Sequence, residues 1–318
     1  MIKLQCHLKL MYPTTPTKLS IGDFTSKLKL PSPSPSPSPS PSALLLCTNF
    51  KSSLTSKPDS IKCFCNKTDN TQQVSPSSQG FSALAADSPW DIATVWSTLA
   101  FYIFSLHIPL SFGGLSVVAY VLNQPVLDPQ IEAISLLGAQ FLELIAAMLL
   151  LQSTAKPQYK FANFFKANKL SKERSWLLVS AVGFGFLFVL VFLTSFLADR
   201  FIGPKDINNP VLKEILLSSD ISKAACFFVY CVITPLLEET VYRGFLLTSM
   251  SSTMKWQSAV LISSAIFSAA HFSGENFLQL FIIGCVLGCS YCWTGNLGSS
   301  ILIHSLYNAL TLMITFLS

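Results

Sequence analysis

Charged residues are scarce in this sequence of 318 residues. Asp, Glu, Lys and Arg together make up 12% of it, whereas soluble domains carry about 25%. Hydrophobic residues make up 51%, mean hydropathy is +0.51, and the apolar residues fall in long continuous runs. Alternating apolar and polar segments are lacking, which excludes a transmembrane β-barrel. We therefore predict an all-α fold, a polytopic transmembrane bundle of six to eight membrane helices that follows a disordered N-terminal leader.

Arginine is absent from residues 1–63, where eight lysines stand against only two acidic residues. The net charge of +5 therefore comes from this leader and does not indicate nucleic-acid binding. The leader also lacks an apolar run long enough for a secretory signal, and its Ser-Pro tract, Pro31–Ser42, cannot build a core. This composition predicts a disordered plastid transit peptide rather than an Arg-rich mitochondrial presequence. An ordinary disordered tail is the alternative.

The rest of the chain divides by composition into three parts. Residues 64–90 are polar and rich in Ser and Gln, a composition that predicts a linker. Residues 91–220 predict N-terminal membrane helices, of which the first apolar segment, Ile92–Leu122, is interrupted by Pro109. That segment is either one kinked span or a span followed by a re-entrant piece. Residues 221–318 predict a C-terminal membrane domain.

The transit peptide sets the expected location. Together with the membrane helices, it predicts a multi-pass protein of a chloroplast membrane, either the thylakoid or the inner envelope. Another endomembrane is the alternative.

Three charges stand close together in the apolar C-terminal part of the chain: Glu238, Glu239 and Arg243. Ionisable residues are costly inside membrane helices and normally face the interior of a bundle, where they find one another. Glu239 and Arg243 are four residues apart, so they share a helix face and are predicted to form an ion pair. Glu238 lies about 100° around the helix from Glu239. It is therefore free to point elsewhere.

Two further pairs of polar or aromatic residues repeat this spacing, Phe267 with His271 and His304 with Asn308. A buried carboxylate can act as a general base on water. A histidine could position that water, or could hold a divalent metal together with the glutamate. His304 and Asn308 could donate to a developing oxyanion. This set suits hydrolysis of an acyl bond without a Ser or Cys nucleophile.

Each group also has a plainer interpretation. The glutamates and the arginine could mark a helix end at the membrane surface, and His271 could be a hydrogen-bonded packing residue. His304 and Asn308 could simply join helices. The three groups together, in order and all in apolar helices, are much harder to explain in this way.

The ordered set EExxxR, FxxxH and HxxxN resembles the CAAX-protease and bacteriocin-processing family of intramembrane proteases, also called the Abi or type II CAAX prenyl endopeptidase family. The resemblance covers roughly Ile221–Leu317. It implies that residues 221–318 are an intramembrane protease domain in which Glu238 activates water and His271 helps to hold it. His304 and Asn308 would form the oxyanion site. The resemblance thus implies six catalytic-site residues: Glu238, Glu239, Arg243, His271, His304 and Asn308.

The HExxH signature of soluble zinc proteases is absent. The resemblance leaves open both a metal-free mechanism and one with a divalent metal such as zinc, for which Glu238, His271 and His304 are the candidate ligands. It implies a membrane-embedded or membrane-associated protein substrate, and the oligomeric state stays open. Two alternatives are a non-catalytic scaffold of the same fold that stabilises a partner in plastid membranes, and a transporter or channel. A transporter or channel is disfavoured because the two halves of the sequence do not carry a matched pair of broken helices at corresponding positions.

Overall fold

The structure is a computed structural model that describes residues 80–84, 87–158, 174–201, 203 and 209–318. The predicted transit peptide and most of the predicted linker lie outside these residues, so both remain predictions. Within the described ranges every regular element is helical. The helices are α1 (Ile92–Val121), α2 (Pro129–Thr154), α3 (Trp176–Phe201), α4 (Pro210–Ser218), α5 (Asp220–Ser251), α6 (Trp256–Ala270), α7 (Phe277–Thr294) and α8 (Leu297–Leu317).

Six of these helices are long and apolar enough to cross a membrane. They are α1, α2, α3, α5, α7 with the turn before it (Gly274–Thr294), and α8. A membrane helix needs about 20 residues to span the hydrocarbon layer. Helix α6 has 15 residues and α4 has 9, so both are too short to cross as regular helices. The structure confirms the prediction of an all-α bundle with six to eight membrane helices.

Helix α5 is the most enclosed of the membrane helices. Of the most apolar 18-residue stretch of each helix, 72% is buried in α5, against 6% in α1 and 17% in α3. Large apolar side chains of those two outer helices, such as Phe104 and Phe192, are exposed, which suits helices that face lipid. The enclosed position of α5 explains how this helix carries three charges, because its neighbours can supply their partners.

Two helices depart from regular α geometry. Helix α1 is π-helical over Tyr102–Gly113, and this stretch contains Pro109, whose ring does not fit a regular helix interior. The helix nevertheless continues to Val121, so the first apolar segment is one span. Helix α5 is π-helical over Val229–Ile233 and Thr240–Leu247. π-helical turns are rare and often lie at functional sites, and these two flank the pair of glutamates.

A glycine allows α6 and α7 to approach closely. A Cβ atom added to Gly284 would lie 2.9 Å from the Cβ and 3.1 Å from the Cα of Ser264. The Gly284→Ala variant must therefore push the two helices apart, and we expect it to lose about 1–3 kcal/mol of unfolding free energy relative to a glycine-to-alanine change in open space. Gly138→Ala in α2 is the matched control, because nothing lies within 4 Å of its added Cβ. Equal thermal unfolding of the two variants in detergent micelles would contradict this packing.

Candidate active site

Glu239 and Arg243 form a buried ion pair inside α5. The guanidinium Nη1 of Arg243 donates to Glu239 Oε1 at 2.8 Å, as the spacing of the two residues predicts. Its Nη2 donates to the carbonyl oxygen of Gly284 at 3.2 Å, and the guanidinium lies 4.4 Å from the ring centroid of Phe267. Both charged side chains are almost completely buried. The pair therefore fixes α5 against α6 and α7.

His304 connects this ion pair to the neighbouring glutamate. Its Nδ1 lies 2.9 Å from Glu239 Oε1, and an Nδ1–H that donates to a carboxylate fixes the orientation of the imidazole. Its other nitrogen, Nε2, lies 3.8 Å from Glu238 Oε2. His304 thus contacts both glutamates. Helical spacing could not reveal this, because Glu239 and His304 are 65 residues apart.

His271 approaches Glu238 from another side. Its Nε2 lies 3.7 Å from Glu238 Oε1, and its Nδ1 lies 2.6 Å from the carbonyl oxygen of Phe267. Because a carbonyl oxygen can only accept a hydrogen bond, Nδ1 carries the proton, and Nε2 of the neutral ring is an acceptor that faces the glutamate. The ring of Phe267 packs 4.6 Å from that of His271, as the shared helix face predicts. Each oxygen of Glu238 therefore has one imidazole beside it.

The distances from Glu238 to the two imidazoles, 3.7 Å for His271 and 3.8 Å for His304, are longer than direct hydrogen bonds. Four buried side-chain atoms at this site have no hydrogen-bond partner in the described part of the chain: Glu238 Oε2, Glu239 Oε2, Tyr242 OH and His271 Nε2. Buried polar atoms are normally hydrogen-bonded, so a group of exceptions calls for an explanation. A bound water could donate to the three acceptors among them, and the Tyr242 hydroxyl could donate to an oxygen atom.

Asn308 makes a different contact from the one its spacing suggested. Its Nδ2 donates to the carbonyl oxygen of Tyr230 at 2.8 Å, and Tyr230 lies in the π-helical stretch Val229–Ile233. This hydrogen bond ties α8 to the irregular part of α5. The contact matches the helix-joining interpretation of Asn308, whereas its role in an oxyanion site remains a prediction.

The fit of a metal ion can be tested on the three candidate ligands. In each histidine Nδ1 already contacts a protein oxygen, and only the two Nε2 atoms face Glu238. Among the residues that the structure describes, no three His, Cys, Asp or Glu side chains are grouped so as to hold a metal ion. Glu238, His271 and His304 do not form such a group as placed, although a histidine that ligates a metal through Nε2 commonly donates its Nδ1–H to a protein oxygen. A metal-dependent mechanism therefore remains a prediction.

A second buried polar cluster lies next to this site, between α1 and α2, and the sequence analysis did not assign it. Its centre is Glu143, which is fully buried. Four side chains contact its carboxylate, namely Tyr102 (2.9 Å), His107 (2.8 Å), Ser111 (2.6 Å) and Gln140 (3.3 Å). Thr234 of α5 donates to the Oε1 atom of Gln140 at 3.4 Å. We call this set the Glu143 cluster.

Aromatic rings connect the Glu143 cluster to the site. The ring of Phe112 packs edge-on at 5.7 Å from His107 and at 5.5 Å from Phe272, the residue after His271. The signal in the sequence was Glu143 itself, a carboxylate in an otherwise apolar span. Its partner His107 lies 36 residues away, too far for any helical spacing to join the two.

The Glu143 cluster gives a prediction for stability. Glu143→Leu would leave the four surrounding donors without their shared acceptor, and we expect a loss of about 3 kcal/mol or more of unfolding free energy. Glu143→Gln keeps one acceptor oxygen and should lose less. Glu214→Leu, at an exposed position on α4, is the control and should stay within about 0.5 kcal/mol of wild type. Thermal unfolding in detergent micelles measures all three, and a Glu143→Leu variant as stable as the control would refute this expectation.

The fold and the site define a class, namely an all-helical membrane protein whose carboxylate and imidazole groups meet in a buried site of α5, α6 and α8. Residues 220–310 match the family model described as Rce1-like, type II CAAX prenyl endopeptidase. This match spans all three motifs and confirms the resemblance that they indicated. No curated protein and no solved structure gives a match. In residues 220–310 the chain is thus similar to a family of membrane proteases.

Proposed function

We propose that this protein is an intramembrane endopeptidase that hydrolyses a peptide bond of a membrane-associated protein by means of a water molecule activated by Glu238. One observation carries the proposal. The two carboxylate oxygens of Glu238 each face the Nε2 atom of an imidazole, at 3.7 Å for His271 and 3.8 Å for His304. A carboxylate with no charged side chain bonded directly to it, beside a nitrogen that can accept a hydrogen bond, is suited to binding and deprotonating water.

The proposed reaction needs no nucleophilic side chain. The oxygen of the water molecule bonds to the carbonyl carbon of the substrate, and Glu238 takes a proton from that water at the same time. The tetrahedral intermediate then breaks its carbon–nitrogen bond, and Glu238 returns the proton to the departing amine. His271 holds the water through Nε2, and His304, oriented by Glu239, places its Nε2 beside the second oxygen of Glu238. Arg243 neutralises Glu239, so that the anchor of His304 stays in place.

The substrate and the location follow from the surroundings of the site. Helices α5, α7 and α8, which supply or enclose most of the site, are long and apolar enough to cross a membrane, so a membrane-embedded or membrane-associated protein is the substrate that can reach it. The composition of residues 1–63 supports a plastid membrane. CAAX-type cleavage is the activity that the matched family suggests.

A second candidate function is a membrane scaffold that stabilises a partner without catalysis. It is favoured by the contacts of Asn308 with Tyr230 and of His304 with Glu239, which join α5 to α8 and need no substrate to explain them.

Complementation separates the two candidates. A line that lacks the protein receives the double variant Glu238→Gln with His271→Gln, and its level in the membrane is compared with that of wild type. We expect the variant to accumulate normally and to fail to restore the wild-type phenotype to the line that lacks the protein. Full restoration would show that the protein works without these two residues, as a scaffold would.

A further inference from the structure

The tyrosine of the first motif, Tyr242, carries a buried hydroxyl group with no hydrogen-bond partner among the described residues. Its side chain is 1% exposed. A buried tyrosine hydroxyl usually finds a partner, so this one is an exception. It lies four residues after Glu238 and therefore about one turn further along α5. The hydroxyl is one of four unpartnered buried atoms among residues 238–271, of which Glu238 Oε2 and His271 Nε2 are two others.

The aromatic ring of Tyr242 is held at the site. It packs edge-on against Phe267 with the ring centroids 5.3 Å apart. The same Phe267 ring contacts His271 at 4.6 Å and His304 at 6.2 Å. The backbone is held as well, because Ser263 Oγ donates to the carbonyl oxygen of Tyr242 at 2.8 Å. The hydroxyl group is therefore presented from a fixed ring.

Two carboxylates lie within electrostatic range of this hydroxyl. Tyr242 interacts with the carboxylates of both Glu238 and Glu143. Both oxygens of Glu143 already accept hydrogen bonds from Tyr102, His107 and Ser111. The Glu143 cluster therefore has no need of a further donor. The groups left for the hydroxyl are those that bind at Glu238.

We propose that the Tyr242 hydroxyl donates a hydrogen bond to the carbonyl oxygen of the substrate as that oxygen becomes negatively charged. This inference extends the proposed function and rests on it. It would act beside Asn308, whose Nδ2 donates one of its two hydrogens to Tyr230, and beside His304, whose Nδ1 contacts Glu239. A phenol supplies a donor without adding a charge to the bilayer. The proton stays on Tyr242 throughout, so the hydroxyl acts only by stabilising the transition state.

The test is Tyr242→Phe, which removes one oxygen atom. The substrate probe is a mixture of detergent-solubilised plastid membrane proteins. The measured rate is the rate at which the purified full-length enzyme creates new amino termini in that mixture. We expect the saturating rate to fall about 100- to 1,000-fold, as for loss of one oxyanion donor, with little change in the half-saturating substrate concentration. The melting temperature should stay the same or rise, because the variant loses a buried hydroxyl that had no partner.

Tyr102→Phe is the matched control. Its hydroxyl is equally buried but donates to Glu143 Oε1 at 2.9 Å. This variant should therefore melt at a lower temperature than wild type and lose less than about tenfold in rate, because its hydroxyl has a structural partner. The two tyrosines should thus show opposite patterns, activity lost at Tyr242 and stability lost at Tyr102. A drop in melting temperature for Tyr242→Phe at an unchanged rate would assign its hydroxyl to structure and overturn the proposal.

Glu238→Gln distinguishes failure of this inference from failure of the proposed function. If Glu238→Gln is inactive and Tyr242→Phe keeps the full rate, only the role of Tyr242 is wrong. If wild type creates no new amino termini, or Glu238→Gln creates as many as wild type, the proposed function fails and this inference fails with it.

Discussion

Replacing Glu238 by glutamine is expected to lower the rate of peptide hydrolysis by roughly 10²–10⁴-fold, the usual contribution of a general base. Glutamine has nearly the same shape as glutamate but cannot take a proton from water. The protein should remain folded, because the two imidazoles nearest to Glu238 lie 3.7 and 3.8 Å away, beyond direct hydrogen bonds. The rate at which purified protein cleaves solubilised membrane proteins, measured beside its melting temperature, tests both halves of this prediction.

The adjacent glutamate supplies the control. Glu239 accepts from Arg243 at 2.8 Å and contacts His304 at 2.9 Å. Glu239→Gln should therefore lower the melting temperature as well as the activity, since it breaks the ion pair and the anchor of His304. If Glu238→Gln retained a rate within tenfold of wild type, Glu238 would not be the base. If both variants melted alike, the separate roles of the two glutamates would be wrong.

Replacing Arg243 by methionine is expected to cost about 3–5 kcal/mol of unfolding free energy, because it leaves Glu239 as a buried charge without its partner. That is a large part of the roughly 5–15 kcal/mol that holds a typical domain together. The variant also loses the hydrogen bond to Gly284 and the stacking over Phe267. We expect it to unfold at a much lower temperature in detergent micelles and to lose activity with the fold.

Two further variants separate charge from geometry at this position. Arg243→Lys keeps the charge but not the planar group that reaches both Glu239 and Gly284, so its loss should be intermediate. The double variant Arg243→Met with Glu239→Gln removes the unpaired charge, and it should recover more than about 1 kcal/mol relative to the sum of the single losses. Strict additivity, or an Arg243→Met protein that melts like wild type, would show that the ion pair does not stabilise the bundle.

The membrane helices could be predicted from the sequence because the thickness of the bilayer fixes their length and composition. The places where their backbone departs from the regular α-helical pattern could not be predicted. The π-helical stretch Val229–Ile233 receives a hydrogen bond at Tyr230 from Asn308, a residue 78 positions away. Local sequence holds no information on such a contact. The sequence likewise left open whether α1 continues through Pro109, which it does as a π-helical stretch.

Helical spacing predicted the part of the site that lies within one turn. The pairing of Glu239 with Arg243 follows from their separation of four residues, as does the packing of Phe267 on His271. The link from His304 to Glu239 was missed because it joins two different helices. The Glu143 cluster was missed for the same reason, although an acidic residue in an apolar span already pointed to a buried partner.

The most direct test of the central claim compares new protein amino termini in membrane fractions from a line that expresses wild-type protein and from one that expresses Glu238→Gln at the same level. Hydrolysis by a water bound at Glu238 predicts a defined set of amino termini that is present with wild type and lost with the variant. The uncut precursors of that set should accumulate. Identical amino termini in the two lines, with the variant folded and at its normal level, would contradict the claim.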